Sequence, residues 1–224
     1  MINKFILFLY HKYPILNKAL IPAFIVFLLT SCTKNLPKDT VVYQNEFENG
    51  KGTMQVYKPN GLDTNSFALN FANRNIAGPF NHRTAYIYLP QLPTHVLLQI
   101  SFDLYIHDQW AGYGINPPDY WGLFIDKQRV FYTTFSNTIN GAQSYPKHEG
   151  FLFPPASDAI EKLRGLYTLN SKLDGTAMYK VVWSMAHSNT TLELALSDLV
   201  ADTNVLNKSW SIDNLKIVCT KIEK

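Results

Sequence analysis

The chain has 224 residues, 20 Lys and Arg against 17 Asp and Glu, 14% aromatics and two cysteines. Lys4, Lys12 and Lys18 account for the whole net charge of +3, so the rest of the chain is balanced. That balance gives no electrostatic case for a nucleic-acid partner.

The three lysines form a basic n-region without acids, followed by an apolar run from Ala19 to Leu29 broken only by Pro22. The run is shorter than the ~20 apolar residues of a membrane-spanning helix and suits the h-region of a secretory signal. A second apolar stretch, Phe5 to Tyr10, makes the n-region long and leaves Met1 open as the true start. The run ends in Leu29-Thr30-Ser31-Cys32, which resembles the lipobox of bacterial lipoproteins: an aliphatic residue, two small residues that admit the peptidase, and the thiol that takes a diacylglycerol. The resemblance implies a signal peptide over 1–31, lipidation at Cys32 and a polar tether over 32–40. It places the chain in the cell envelope as an outer-membrane-anchored lipoprotein, on either the periplasmic or the surface face. The plain alternative is an N-terminal anchor helix with a chance cysteine. With Cys32 lipidated, Cys219 has no partner in the chain and reads as a buried, inert thiol in an apolar strand.

Residues 41–224 read as one domain, and alternation with a period of two dominates it. Ala85, Ile87 and Leu89 alternate with Thr84, Tyr86 and Tyr88. Val96, Leu98, Ile100, Phe102, Leu104 and Ile106 form one apolar face of a long strand whose other face carries Gln99, Ser101, Asp103, Tyr105 and His107. Trp121, Leu123 and Ile125 begin a strand that turns at Asp126–Arg129 into Val130–Phe135. Ser157–Arg164 alone reads as helical, with Ser157 as N-cap. Tyr179, Val181, Trp183 and Met185 share a face, as do Leu192, Leu194 and Leu196, and a last strand runs from Trp210 to Val218. Many one-faced strands and one short loop helix predict an all-β fold: a two-sheet antiparallel β-sandwich of jelly-roll type. In the last strand Trp210 and Ile212 set one phase, and Leu215, Ile217 and Cys219 set the other. Both sets can face the core only if a β-bulge sits at Asp213-Asn214.

Several segments taken together resemble the carbohydrate-binding jelly rolls, in particular galactose-binding-like and laminin-G-like domains of bacterial surface proteins. They are Phe47-Glu48-Asn49-Gly50, Leu92-Pro93-Thr94-His95, Ser101 to Ile106, Trp110-Ala111-Gly112, Asp119-Tyr120-Trp121, Thr133 to Asn137, and Ser209 to Leu215. The chain departs from the pattern at Ala111, where an acid is usual. The resemblance implies a structural calcium shared by Glu48 and Asp213. Such an ion takes six to eight oxygens, mixing carboxylates and carbonyls. The plain alternative is that Glu48 caps a turn and Asp213 bonds a nearby amide.

Catalysis fits the residues less well. Asp103 and Asp108 fall on opposite strand faces. A His107–Asp103 pair is conceivable, but solvent-face polar residues are the simpler reading, and His187 reads as structural rather than as a zinc ligand. No His-x-His, HExxH, phosphate loop or Gly-x-Ser-x-Gly elbow occurs. A non-enzymatic binding module for a glycan or another cell-surface ligand is the better reading. Trp110, Tyr113 and Tyr120 are its candidate contacts, because sugar C–H patches stack on exposed rings. Trp121, Trp183 and Trp210 have core phase. The alternative is a structural or adhesive envelope lipoprotein that pairs with another protein; a glycoside hydrolase ranks third.

Overall fold

The computed structural model describes residues 36–65, 67–168, 172 and 175–222. The expected signal peptide, Cys32 and the start of the expected tether therefore lie outside the described residues. The strands are β1 (Pro37–Asn45), β2 (Gln55–Lys58), β3 (Gly61–Asp63), β4 (Ala68–Phe71), β5 (Arg74–Phe80), β6 (Thr84–Leu89), β7 (Leu97–Asp108), β8 (Tyr120–Ile125), β9 (Gln128–Thr134), β10 (Glu161–Leu163), β11 (Thr176–Ala186), β12 (Leu192–Leu199) and β13 (Lys208–Ile222). They form two sheets. The seven-stranded sheet runs β10-β11-β7-β13-β5-β4, with β1 also on β13, and the six-stranded sheet runs β3-β2-β6-β12-β8-β9. This is the all-β sandwich that the alternation predicts.

The long predicted strands form because every second side chain is apolar. Leu98, Ile100, Phe102, Leu104 and Ile106 of β7 face Trp121, Leu123, Ile125, Leu192, Leu194 and Leu196 of the other sheet, all buried in one core. Trp121 stands edge-on to Trp210, with ring centres 6.0 Å apart, and tilts against Phe102 at 5.9 Å. Each such side chain stabilises the fold by roughly 1.5–3 kcal/mol through burial. Cys219 joins this core as a free, buried thiol, and burial pushes its thiol up from the ordinary range.

The bulge in the last strand lies where the phase shift requires it. Asp213 pairs with Asp103 and Lys216 with Ser101, so three steps on β13 match two on β7. Asn214 takes the left-handed conformation, φ 52°, which asparagine tolerates better than most residues.

Two predicted elements differ. No helix forms at Ser157–Arg164; turns span 155–158 and β10 follows at Glu161–Leu163, paired to Met178, Ala177 and Thr176 of β11. Ala156 and Asp158 both have positive φ, which stops helix propagation, and the open edge of β11 offers ladder bonds instead. Residues 37–40, assigned to the tether, begin β1, with Asp39 accepting a bond from the Thr220 hydroxyl at 2.6 Å.

One end of the outward face of the seven-stranded sheet is buried, while Gln99, Lys180, Val182 and Ser184 further along it are exposed. Tyr105, Ile76 and Met178 form a second small core with Leu69, Phe71 and Leu163. His107 is buried beside it, 4.9 Å ring to ring from Phe71, and lies between Thr176 Oγ1 at 3.1 Å and Ser211 Oγ at 3.0 Å. Burial pushes the His107 imidazole down to about 3, so it stays neutral. Asp103 is held elsewhere, so the conceivable His107–Asp103 pair does not form.

Candidate functional site

Trp110 is not a surface residue, which corrects the expectation that it offers a ring to a ligand. It is 0% exposed and belongs to the core, and its Nε1 donates to Ser209 O at 2.8 Å. β7 extends to Asp108, whose φ of 63° reverses the chain, and the ring drops onto the open end of the sandwich. Gly112 follows with φ 52°, and any Cβ there would strike the Ala142 carbonyl, so the glycine lets this loop lie directly against the backbone at 142, where Tyr113 N donates to Ala142 O at 2.8 Å. An acid from further along the chain does reach Ala111. Asp119 accepts from Ala111 N at 2.9 Å and from Lys208 Nζ at 2.7 Å, in a buried ion pair.

Tyr113 and Tyr120 do reach the surface, and they do so within a larger aromatic face. Trp121, Leu123 and Ile125 point into the core, so Tyr120, Gly122 and Phe124 occupy the outward side of β8. The register continues that side across the sheet. Tyr132 of β9 lies opposite Gly122, Phe124 opposite Ala195 of β12, Ala195 opposite Tyr86 of β6, and Tyr88 opposite Glu193. Tyr57 of β2 meets Tyr86 edge-on at 5.8 Å. At the other end Tyr120 stacks on Tyr132 at 4.6 Å and 14°, Tyr113 meets Tyr120 edge-on at 6.2 Å, and the Arg129 guanidinium lies 4.5 Å over the Tyr132 ring. Tyr88 is 50% exposed and Tyr57 37%. Small residues separate the two groups of rings: Ala195, Ser197, Thr84 and Gly122. A Cβ on Gly122 would lie 2.8 Å from the Phe124 ring and 3.1 Å from the Tyr132 ring, so the glycine is what lets those rings lie across the strand. Burial first, then Tyr120, pushes the Tyr132 phenol up to about 12. The phenol stays protonated at neutral pH, able both to donate and to accept.

Asp213 lies on β13 of the other sheet, and Glu48 in the turn that follows β1. Asp213 Oδ1 accepts from Asn214 N at 2.7 Å, and the Asn214 amide nitrogen donates to Asp103 Oδ2 at 2.7 Å and to Asp213 Oδ2 at 3.3 Å. Asp103 also accepts from Lys180 Nζ at 3.2 Å. Glu48 is exposed and accepts from Asn75 Nδ2 at 2.9 Å. Burial, with the carboxylates of Asp103 and Glu48 adding to it, pushes the Asp213 carboxyl up to about 6. Among the described residues no three His, Cys, Asp or Glu side chains converge on a point that could hold a metal ion. A calcium ion on Glu48 and Asp213 would therefore need backbone and solvent oxygens for most of its shell.

The sequence reading missed Tyr57, Tyr86, Tyr88, Phe124, Tyr132 and Arg129 as members of one face. Their signal was present: tyrosines held the outward phase of the strands over 84–89 and 128–134. Which strands lie side by side is non-local information, and the face exists only through that order.

No protein-family model matches the chain, and no curated protein matches it. Solved structures do. The chain is similar to latent PorU from Porphyromonas gingivalis, at 11% identity and a TM-score of 0.42, over 84% of this chain and 13% of that one. It therefore spans about an eighth of that protein's length. It is also similar to a family 35 carbohydrate-binding module from Clostridium thermocellum, at 7% identity and a TM-score of 0.36, over 80% of this chain and 97% of that one. A cleaved adhesin domain of Lys-gingipain from Porphyromonas gingivalis is similar at 12% identity and a TM-score of 0.37, over 80% and 99%.

Proposed function

We propose that the chain is a membrane-anchored, non-catalytic module that binds a glycan on the outward face of its six-stranded sheet. The row of rings from Tyr57 and Tyr86 across Ala195 to Phe124, Tyr132 and Tyr120 carries the reading. Sugar C–H patches stack on such rings, and neutral phenols with Arg129 and Glu193 supply hydrogen bonds at the margin. The acids brought together at the bulge support a binding role rather than hydrolysis. Asp103 and Asp213 are joined through the Asn214 amide, whereas hydrolysis needs two carboxyls set across a cleft.

A glycan array followed by titration tests the reading. Tyr132→Ala and Tyr88→Ala should each weaken the best ligand about tenfold or more, as central contacts do. A chain that binds no glycan but loses an envelope protein partner in the same variants would establish the adhesive alternative.

Anchoring by a lipid on Cys32, at the outer membrane, belongs to the same reading. Cys32→Ala should abolish labelling by a fatty-acid analogue; equal labelling of the variant would overturn it. The calcium at Glu48 and Asp213 is the third part. Chelator should lower the melting temperature and calcium restore it, with stabilisation of about 2.7 kcal/mol at a hundredfold excess over Kd. Asp213→Ala should respond to neither. A wild type indifferent to chelator removes calcium from the proposal.

A further inference from the structure

Away from the aromatic face, three connections meet at one end of the sandwich: the segment leading into β7, the β8–β9 turn and the β11–β12 loop. Two histidines are buried there, His95 at 3% exposure and His187 at 8%. Their rings are nearly coplanar, with planes 20° apart and centres 5.0 Å apart, and they meet edge to edge. His95 Nδ1 lies 2.7 Å from Pro93 O, His95 Nε2 lies 2.7 Å from His187 Nδ1, and His187 Nε2 lies 3.0 Å from Asp126 Oδ2.

The protons in this row can be counted. Pro93 O only accepts, so His95 Nδ1 carries a hydrogen. An ionised Asp126 only accepts, so His187 Nε2 carries one too. A third lies between the two rings. Two neutral imidazoles bring two ring hydrogens, and the row needs three. The group therefore holds one proton more than two neutral rings and one carboxylate, and its positive charge offsets Asp126. Moving that proton onto Asp126 leaves the count unchanged. Removing it sets two lone pairs face to face at 2.7 or 3.0 Å. Adding another sets two N–H groups face to face between the rings.

Asp126 is fixed independently of the histidines. Its Oδ1 accepts from Glu193 N at 3.0 Å, its Oδ2 from Asn189 Nδ2 at 2.8 Å, and its own N–H donates to Glu193 O at 2.8 Å. His187 N donates to Val96 O at 3.2 Å. Asp126 and Lys127, with φ of 50° and 66°, form the two-residue β8–β9 turn. Beside the row a surface cavity of about 480 Å³ is lined by Val96, Ile125, Asp126, Gln128, Met185 and His187 among others. Few other charges lie on the elements that meet here. Lys127 and Glu193 pair with each other at 3.3 Å. Asp39 is bonded by Thr220 on the strand that flanks Val96, and Lys221 beside it is exposed. Arg129 pairs with Glu149.

We propose that His95, His187 and Asp126 form a one-proton clasp that joins the three connections and sets the shape of the adjoining cavity, so that the cavity loosens when the shared proton leaves. Rising pH removes the proton and breaks one bond of the row. The two rings then no longer tie the β8–β9 turn to the segment before β7.

Imidazole nitrogen NMR on the histidine-labelled full chain, between about pH 5 and 9 where histidine titrates, reads the proton count directly. In the clasped form His187 should show two protonated nitrogens and His95 should be the neutral Nδ1–H form. As pH rises, one proton should leave the pair as a unit. Amide exchange at His187 and Glu193 should then accelerate about tenfold beyond its intrinsic pH dependence, the effect of losing one charge-assisted bond. Asp126→Asn should release the proton at lower pH than wild type, and His95→Gln, which can still bond His187 but has no ring proton to share, should remove the exchange response. Two neutral rings throughout the range would overturn the proposal without any variant. So would a stoichiometric shift of these same resonances by zinc, which would make the site a metal ligand set instead.

Discussion

The two sheets treat the outward-facing rings of their strands in opposite ways. On the seven-stranded sheet Tyr105 and His107 hold the outward phase of β7, and both are fully buried. On the six-stranded sheet Tyr86, Tyr88, Tyr120 and Tyr132 hold the same phase and stay half-open or open. Residue types and periodicity are alike; the surroundings are not. Phe71, Ile76, Met178 and Leu163, from other strands of the same sheet, pack around Tyr105, and Arg74 Nη1 donates to its hydroxyl at 2.9 Å. A half-polar ring such as tyrosine serves equally as core or as contact surface, so its role follows from what is packed around it.

The largest expected effect lies at the buried ring. Tyr105→Ala should cost about 3 kcal/mol or more, as large-to-small changes at buried rings do, because it empties the small core and strands the Arg74 bond. Urea denaturation checks this; a loss below about 1 kcal/mol would mean that the packing is loose and the two faces are more alike than they look.

Asp213→Asn tests the same sheet through its charge. The folded carboxyl lies at about 6 against an ordinary 3.8. A carboxyl raised in this way contributes stability that is complete below about 3.8 and lost as pH rises through about 6. In chelator at pH 7 wild type therefore carries the full penalty, and the variant should be about 1–2 kcal/mol more stable. Its stability should also be flatter across the window from about pH 4 to 6. Melting curves at pH 4, 5, 6 and 7 decide it, and parallel profiles for the two proteins would refute the shift.

On the open face, changes should separate stability from binding. Tyr132→Ala removes one stacked ring and should cost about 1 kcal/mol or less, while glycan affinity falls as proposed above. Gly122→Ala should cost a few tenths of a kcal/mol at most in stability, roughly the scale of a surface change, because the Phe124 and Tyr132 rings can swing away. Its effect should appear in affinity, since those rings would no longer lie flat across the strand. If both variants lose several kcal/mol instead, the six-stranded sheet's outward face is as structural as the other.

Much of the sandwich was legible in the chain. The long strands, their core faces, the bulge at Asp213-Asn214 and the burial of Trp121, Trp210 and Cys219 follow from alternation. β2 to β5 and β10 were not legible. They are three to seven residues long and separated by left-handed positions such as Phe67, Ala72 and Asn73, and their pairing is supplied by neighbours rather than by their own pattern. The candidate site was half legible: Tyr113 and Tyr120 were found, Trp110 was misplaced, and the remaining rings were read only as the polar side of their strands.

Alternation is a local property. It tells each strand which side turns to water or core, and here one extra residue in β13 is enough to show where the phase must be repaired. Strand order and the crossing of loops are non-local, and they settled the rest. They buried Trp110 and Tyr105, left the tyrosine face open, and brought His95 to His187 across 92 residues and His187 to Asp126 across 61. No periodicity in the chain encodes those distances, because they arise from which backbones pair and which side chains fill the space that pairing leaves.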